Sequence, residues 1–370
     1  DIARVCDTLE HIHFFQRSIV CRDLEDVREM DITTCYASVA GTKKHVGTSF
    51  SFPENVDEAL QMLHLIAGSE KAWRERPFVS MSVCHVIPPL KFAEDASACL
   101  EAGVKGGMPV LLLSAGQAGA TSPATLARCV VQSVAEVIAG LVYVNAIQEG
   151  APAIFGAWPF VSDLRTGAMS GGSGEQAVLM AACGQMSQFY NLPSGIAAGM
   201  TDSKIPDAQS GYEKGYTVAL AGHSGANLIY ESAGMHASLL GCCLESYVID
   251  NDMLGAINRT VRGIEVNAET LSLDPIRDVC LDGPGHYLGH EQTLNRMQSD
   301  YLYPIVGDRE NINNWIEQGS TDSIQRAHLK LKEILKTHFP NNWDEDTDSK
   351  IREQFPIRLP RNRMQPLDIS

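Results

Sequence analysis

Short apolar runs alternate with longer, partly polar segments over residues 1–255. Runs of β-branched or small apolar side chains bounded by glycine, proline or polar clusters predict strands. The predicted strands are 33–38, 45–50, 78–84, 108–113, 153–157, 195–200 and 227–230. Segments of helical length lie between most of these runs. This alternation is typical of βαβ units and predicts a parallel sheet.

The predicted helices are 56–68, 92–102, 123–148, 176–190 and 205–222. The longest has Ser122 as its expected N-cap and Pro123 at its first position, where a missing N–H is tolerated. Six or seven strands are visible, so a TIM-type (β/α)8 barrel needs one or two more, from the first residues or from 246–249. A doubly wound open sheet is the alternative for this pattern.

The sequence pattern changes after Gly255, where charged residues are frequent and apolar residues recur periodically. Residues 321–336 predict an amphipathic helix, and the prolines at 356, 360 and 366 predict an extended tail. We therefore expect an α/β barrel over 1–255, a helical layer over 256–340 and a tail over 341–370. The chain opens at Asp1 inside a helix-like segment, so we expect the barrel to lack its N-terminal start.

Composition narrows the possible partners and the cellular compartment. The formal net charge of −16 and the pI near 5.1 argue against binding a phosphate backbone, which needs clustered Lys and Arg. The ten cysteines are scattered without a Cys-x-x-Cys pair, which suits a reducing cytoplasm. We found no apolar run of membrane-spanning length in the sequence and predict a soluble, cytoplasmic protein.

Polar side chains follow the two strands predicted at 195–200 and 227–230. Asp202 and Lys204 come after the first, and Glu231 and His236 come after the second. Because the carboxyl ends of parallel strands meet at one edge, these groups should lie together at a barrel mouth. This placement is typical of an enzyme active site.

Four segments carry a family resemblance: TDSKIPDAQSGYEK (201–214), GANLIYESAGM (225–235), ESYVIDNDMLG (245–255) and GPGHYLGHEQTL (283–294). The chain resembles the trimethylamine methyltransferase family over roughly 35–335. The resemblance implies a barrel enzyme that moves a methyl group from a methylated amine to the cobalt of a separate corrinoid protein. It implies no tightly held cofactor and no metal. We also expect a homo-oligomer.

One departure from the founding members of that family concerns the catalytic residue. Those enzymes carry pyrrolysine, whereas this chain contains only standard residues. It therefore looks like the pyrrolysine-lacking branch, some members of which demethylate quaternary amines such as glycine betaine. A quaternary amine is already activated by its own charge, so orientation and a dry site should suffice.

The resemblance suggests roles for the candidate side chains, each with a structural alternative. Asp202 and Glu231 would offset the cationic amine, unless Asp202 caps a helix or Glu231 forms an ion pair. Lys204 is the third catalytic candidate, in a pair with Asp207 or Glu213. Substrate-binding roles fall to four side chains, two of them an aromatic wall: His236, Tyr230, Trp158 and His85.

Two glycine-rich loops, 114–123 and 170–176, lead into helices without matching a dinucleotide-binding or P-loop motif. By resemblance they would face the corrinoid protein, with Gln117 and Glu175 as the side chains in contact. His286 and His290 are four apart, but Gly289 between them weakens a helix, so we expect no zinc site.

Two other functions fit the same residues. A lyase or aldolase would use Lys204 to form a Schiff base at the strand end. A catalytically silent barrel would bind betaines without turnover.

Overall fold

The computed structural model describes residues 1–281 and 283–366 and has a mixed α/β fold. Its principal strands are β1 (Phe14–Gln16), β2 (His45–Thr48), β3 (Val79–Val83), β4 (Val110–Ser114), β5 (Ala153–Ala157), β6 (Gly195–Ala197) and β7 (Leu228–Tyr230). Two-residue strands lie in the connecting loops at Val86–Ile87, Lys91–Phe92, Gln117–Ala118, Phe160–Val161, Met235–His236 and Gly241–Cys242.

One helix precedes the first strand, at least one follows each of the seven strands, and further helices extend to Gln354. They are α1 (Ile2–Thr8), α2 (Val27–Gly41), α3 (Pro53–Ala67), α4 (Glu70–Glu75), α5 (Glu94–Lys105), α6 (Leu126–Ile147), α7 (Gly174–Phe189), α8 (Ala208–His223), α9 (Leu244–Arg262), α10 (Asp274–Cys280), α11 (Glu291–Arg296), α12 (Ile312–Glu317), α13 (Ser323–Thr337) and α14 (Glu345–Gln354). A 3-10 turn covers Arg361–Arg363.

The strands are arranged in chain order and run parallel. β1 to β5 form one sheet, and β6 pairs with β7. A parallel bridge between Phe155 and Ser194 links the two sheets, with the Phe155 N–H donating to the Pro193 carbonyl over 2.8 Å. All seven carboxyl ends therefore lie along one continuous edge. The predicted parallel sheet is confirmed.

The first and last strands face each other across a cleft. The rings of Phe14 and Tyr230 lie 4.8 Å apart between centroids. Among the strands that the structure describes, β1 and β7 share no backbone ladder, and a cavity of about 340 Å³ lies between them. Closure into an eight-stranded barrel stays a prediction.

The central strand β4, with the sequence VLLLS, is almost continuously apolar, as expected of a parallel strand covered on both faces. Every residue of β4 is buried, and Met81, Phe155 and Ile196 extend the same core through β3, β5 and β6. Burial of each such side chain contributes about 1.5–3 kcal/mol to folding.

One predicted strand is helical instead, since residues 33–38 lie inside α2. The segment 246–249, named as one of two possible sources of a further strand, lies inside α9. In α2 the fully buried positions include Ile32, Cys35 and Tyr36, with Val39 one turn further on. That spacing follows the period of a helix. The short β-branched run at the start of 33–38 had favoured a strand instead. The strand expected from the first residues is β1.

The predicted helices have the right type, with shifted ends. The helix predicted over 123–148 begins at Leu126, with Thr125 rather than Ser122 as its N-cap. The one predicted over 321–336 is α13, where Asp322 and Gln325 form a capping box.

The region beyond Pro340 is not wholly extended, contrary to our expectation. Asp344 caps α14 by accepting from the Thr347 N–H over 2.8 Å. Within α14, the Asp348 carboxylate accepts from the Tyr36 hydroxyl and pairs with Arg352 and Arg361. These contacts fasten the segment to α2.

Helix α6 differs from our expectation that no apolar segment reaches membrane-spanning length. By length and composition alone it is long and apolar enough to cross a membrane, which is weak evidence because core helices pass the same test. In the structure it buries Cys129, Val137, Val144 and the charged Glu136 against the fold. The Glu136 carboxylate accepts from the Leu90 N–H over 2.8 Å and the Ser114 hydroxyl over 2.5 Å.

Candidate functional site

A cavity of about 380 Å³ opens at the carboxyl edge of the sheet. Five of its lining residues each come directly after a strand: Arg17, Ser49, Cys84, Trp158 and Glu231, following β1, β2, β3, β5 and β7. Parallel topology thus gathers side chains from distant parts of the chain, as at the mouths of barrel enzymes. We call this space the mouth cavity.

Glu231 is the carboxylate at the centre of this arrangement. The residue has a left-handed backbone, with φ of 62°. The loop after β6 approaches it closely: a Cβ on Gly199 would lie 3.0 Å from the Glu231 carbonyl oxygen and 2.7 Å from the Ser232 Cα. Gly199 itself has φ of 100°, so glycine is favoured there on both grounds.

The Glu231 carboxylate forms no hydrogen bond or ion pair with any residue in the described parts of the chain. Burial raises its pKa to about 7. A carboxylate in such surroundings is costly to ionise unless a cation arrives, so the site favours either a proton or a bound cation.

Aromatic rings stand beside this carboxylate. The rings of Trp158 and Tyr230 lie 5.5 Å apart, and the Trp158 indole N–H donates to the Gly195 carbonyl over 2.6 Å. Phe50 lines the same mouth cavity, while buried Tyr230 lies against the cleft between β1 and β7. Aromatic faces next to a carboxylate attract cationic groups.

Asp202 holds three loops together at the rim. Its carboxylate accepts from the Ser170 hydroxyl over 2.7 Å, the Gly172 N–H over 3.3 Å and the Ser238 hydroxyl. Those donors come from the loops after β5 and β7, while Asp202 itself follows β6. It is not among the residues that line the mouth cavity.

Lys204 is exposed, and its Nζ donates to the backbone carbonyl of Asp202 over 2.5 Å. The expected partners have other roles. Asp207 caps α8 by accepting from the Ser210 N–H over 2.9 Å. Glu213 is buried and accepts from the Thr201 hydroxyl over 2.5 Å and the Asp202 N–H over 2.8 Å.

His236 is buried outside the mouth cavity. Its Nε2 is 2.7 Å from the Ser246 hydroxyl, and burial lowers the pKa of the ring, so it is neutral near pH 7. Behind it, Lys214 and Asp250 form a buried ion pair of 2.7 Å, and Asp250 also accepts from the Gly234 N–H.

His85 is also fully buried outside the mouth cavity. Its Nε2 is 2.9 Å from the backbone carbonyl of Glu136, and a Cβ on Gly140 would collide with the imidazole. Burial lowers the pKa of His85. The ring therefore joins the loop after β3 to α6.

The glycine-rich loops pack closely at the same edge. Gln117 accepts from the Ser162 hydroxyl over 3.0 Å, and Glu175 is exposed in the first turn of α7. A Cβ on Gly171 would lie 2.7 Å from the Met200 Cβ, and one on Gly172 would collide with Glu213. Close packing explains these two glycines.

The histidine pair at 286 and 290 does not share a helix. His290 is the N-cap of α11, and its Nδ1 accepts from the Gln292 N–H over 3.1 Å. Within residues 1–281 and 283–366, no group of three or more His, Cys, Asp and Glu side chains has the geometry of a metal site.

Two lining residues, Arg17 and Cys84, were not among the candidates predicted from the sequence. Cys84 was the last residue of a predicted strand, so its strand-end position was a usable signal. Arg17 follows β1, which has only three residues and too little apolar periodicity to be recognised.

Comparison with known proteins identifies relatives along nearly the whole chain. The profile described as trimethylamine methyltransferase (MTTB) matches residues 1–359. Trimethylamine methyltransferase MttB of Methanosarcina barkeri is 34% identical over 348 residues, which cover 94% of this chain and 69% of the relative. MttB of Desulfitobacterium hafniense is 32% identical, with 95% and 70% covered. Glycine betaine methyltransferase of Desulfitobacterium hafniense is 30% identical, with 86% and 65% covered.

Proposed function

The chain belongs to the trimethylamine methyltransferase family, and from that membership we propose a specific reaction for it. The protein is a methyltransferase. The methyl donor is a methylated amine, preferentially a quaternary amine such as glycine betaine. The acceptor is the Co(I) of a corrinoid carried by a separate protein. The name of the relative that is a glycine betaine methyltransferase supports this donor class.

The observation that carries the proposal is the unpartnered Glu231 beside Trp158 in the mouth cavity. A quaternary ammonium group has a permanent charge and no N–H donor, so it is bound by countercharge and aromatic faces rather than by hydrogen bonds. Binding of the ammonium group would give the Glu231 carboxylate a positively charged partner and would favour the ionised form of Glu231.

Catalysis by this chain rests on orientation and exclusion of water. When the acceptor is present, its Co(I) supplies the nucleophile: a cobalt–carbon bond forms, the carbon–nitrogen bond breaks, and the electron pair of that bond stays on nitrogen. The amine therefore leaves neutral. Since the donor loses its charge in this step, Glu231 contributes chiefly to binding and alignment, and the ammonium charge itself makes the amine a good leaving group.

A tertiary amine would first need a proton. Asp202 and Glu231 are the two candidate carboxylates at this edge that could donate it. Asp202 already accepts three hydrogen bonds at the rim, whereas the Glu231 pKa near 7 allows it to hold a transferable proton near neutral pH. We therefore assign this role to Glu231.

The carboxyl edge has the features of a docking face for the acceptor protein. Exposed apolar side chains project from the loops after β3, β5, β6 and β7: Ile87, Leu90, Leu164, Ile205 and Leu240. Several exposed apolar side chains at one edge are a feature of interaction surfaces. Gln117 lies in a two-residue strand after β4 and Glu175 in the first turn of α7, and we retain both as contacts to the acceptor. The free thiols of all ten cysteines support a cytoplasmic setting.

The two alternative functions have less support. A Schiff-base enzyme would shelter its lysine, but Lys204 is exposed and outside the mouth cavity. A betaine-binding protein without catalysis would use the same cavity and differs only in turnover.

A demethylation screen with a reduced corrinoid protein tests the proposed reaction. The donors are trimethylamine, glycine betaine, carnitine and proline betaine, and methyl-cobalt formation is followed by absorbance. We expect turnover with a quaternary amine and little with trimethylamine. Trimethylamine turning over faster than every quaternary amine would refute the donor preference, and binding without any turnover would support the non-catalytic alternative.

A further inference from the structure

We propose that Arg17 is the specificity residue of the mouth cavity and binds the carboxylate of a zwitterionic donor whose methylated nitrogen faces Glu231 and Trp158. This inference deepens the proposed function and rests on it. It selects amino-acid betaines from among quaternary amines and names the side chain that makes the selection.

Arg17 lies where a substrate carboxylate could reach it. It is half-buried, follows β1 directly and lines the mouth cavity together with Ser49. One guanidinium nitrogen donates to the Ser49 hydroxyl over 2.6 Å. That is the one side-chain hydrogen bond of Arg17 in the described parts of the chain, so most of its five donors are left for a ligand.

Arg17 has no carboxylate partner of its own. Among the described residues it forms no ion pair, and burial lowers its pKa. The neighbouring Asp31 acts on Arg17 only through space, since its carboxylate accepts from the Ser51 N–H over 2.7 Å and the Asn55 amide over 2.8 Å. A half-buried guanidinium without a partner is ready to bind a carboxylate in two-pronged fashion.

Arg17 and Glu231 line the same cavity without pairing with each other. The guanidinium group and the Glu231 carboxyl group are therefore separate positions in the cavity lining. A molecule with a carboxylate at one end and an ammonium at the other satisfies both at once, whereas a simple quaternary cation satisfies Glu231 alone.

The rest of the cavity lining fits such a molecule. Gln16 and Ser82 contribute polar lining residues. Phe50 and Trp158 supply the aromatic surface on which methyl groups of an ammonium pack. Polar and aromatic surfaces are thus both available along the cavity.

Calorimetry with the protein alone tests the assignment, because ligand binding needs no corrinoid partner. The probes are glycine betaine and choline, which share a trimethylammonium group but differ in the carboxylate. We expect the wild type to bind glycine betaine at least 10-fold more tightly than choline. Arg17→Gln should lose at least 10-fold affinity for glycine betaine while choline affinity stays within 2-fold, and Arg17→Lys should retain part of the preference.

Arg76→Gln is the matched control, since Arg76 is exposed and precedes β3 at the opposite edge. Its affinities should equal those of the wild type. Equal wild-type affinities for both probes, or an equal loss of both in a folded Arg17→Gln variant, would overturn the assignment. If that variant does not fold, Arg17→Lys and the wild-type comparison still test the assignment, since equal affinities of either protein for the two probes would overturn it.

Different results would overturn the proposed reaction and the specificity role of Arg17. Arg17-dependent betaine binding without methyl transfer to any corrinoid would uphold the specificity role and overturn the proposed reaction. Methyl transfer from choline and glycine betaine with equal efficiency would uphold the reaction and overturn the specificity role.

Discussion

The indole N–H of Trp158 donates to the carbonyl oxygen of Gly195 over 2.6 Å, so the ring that follows β5 is fixed by the first residue of β6. This bond leaves the indole little rotational freedom beside the mouth cavity. A preorganised ring loses less entropy when a ligand packs against it. The relationship fixes the position of the Trp158 ring at the site.

We predict that Trp158→Phe weakens binding of a quaternary amine by about 1–2 kcal/mol, because a smaller ring has a weaker quadrupole and lacks the anchoring N–H. Titration calorimetry with glycine betaine measures the change. Trp315→Phe is the control, since Trp315 lies on α12, donates to the Thr321 carbonyl and is far from the sheet edge in sequence. Equal effects of the two substitutions would contradict an aromatic contact.

Glu231→Gln should weaken binding of the cationic amine by about 1.5–3 kcal/mol, because it removes the desolvated countercharge while keeping the shape. Glu149→Gln provides the control at an exposed position before β5. Calorimetry that shows unchanged affinity in both Glu231→Gln and Asp202→Asn would rule out carboxylate recognition of the ammonium group.

Affinity for a quaternary amine should depend on pH with a midpoint near 7. The Glu231 pKa is raised to about 7, so the free protein holds a proton there that the bound cation displaces. Below this midpoint the dissociation constant should rise about tenfold per pH unit, and above it affinity should level off. A Glu231→Gln protein with the same pH profile as the wild type would refute this assignment.

The raised pKa of Glu231 also makes folding stability fall as pH rises, whereas a carboxylate in an ion pair makes it increase. Between about 4.5 and 7 the native protein retains a proton on Glu231 that the unfolded chain releases, so this stabilising contribution is lost as pH rises through the window. We expect Glu231→Gln to gain melting temperature relative to the wild type between pH 5 and pH 8. Thermal unfolding at both pH values measures the difference, and a constant difference would contradict burial of an ionisable carboxylate.

Asp202→Asn should act on the rim rather than on the ammonium. The substitution weakens the hydrogen bonds that Ser170, Gly172 and Ser238 donate to this side chain. We expect the free energy of unfolding to fall by about 1–3 kcal/mol. Hydrogen exchange should become faster at Gly172 and in the loop after β7. Protection that is unchanged at both places would show that Asp202 does not hold the loops together.

Lys204→Met should change methyl transfer by less than about twofold, because Lys204 is exposed and its Nζ contacts only a backbone carbonyl. Borohydride treatment with carbonyl compounds should give no covalent adduct. An adduct at Lys204, accompanied by loss of activity in the variant, would establish Schiff-base chemistry instead.

The alternation of apolar runs and amphipathic segments was sufficient to predict the parallel sheet and most of its helices. Ala153–Ala157 matches its predicted strand at both ends, because a short apolar run between turns has few other ways to bury itself. The secondary-structure prediction was wrong at 33–38, and 246–249 did not supply a strand. The short runs at both places fit the helical period as well as the strand period. Packing of α2 and α9 against neighbouring helices decided those cases.

The carboxylate and aromatic ring that carry the proposed function were both candidates from the sequence. Glu231 and Trp158 come directly after recognisable strands, and topology places such residues at one edge. What the sequence could not decide was which polar groups already have partners. Asp202, Lys204, His236 and His85 look equally available in the sequence. In the structure Asp202, His236 and His85 are engaged by neighbouring loops or helices, and Lys204 is exposed and bonds to a carbonyl of its own loop.

Tertiary structure alone brought Arg17 to the cavity and left Glu231 without a partner. The two are far apart in the chain, and their meeting depends on the curvature of a sheet whose first and last strands face each other. The sequence determined which strands form, because burial of apolar runs is a local pattern. The shape and charge of the cavity depend on contacts between distant segments, which no local pattern encodes.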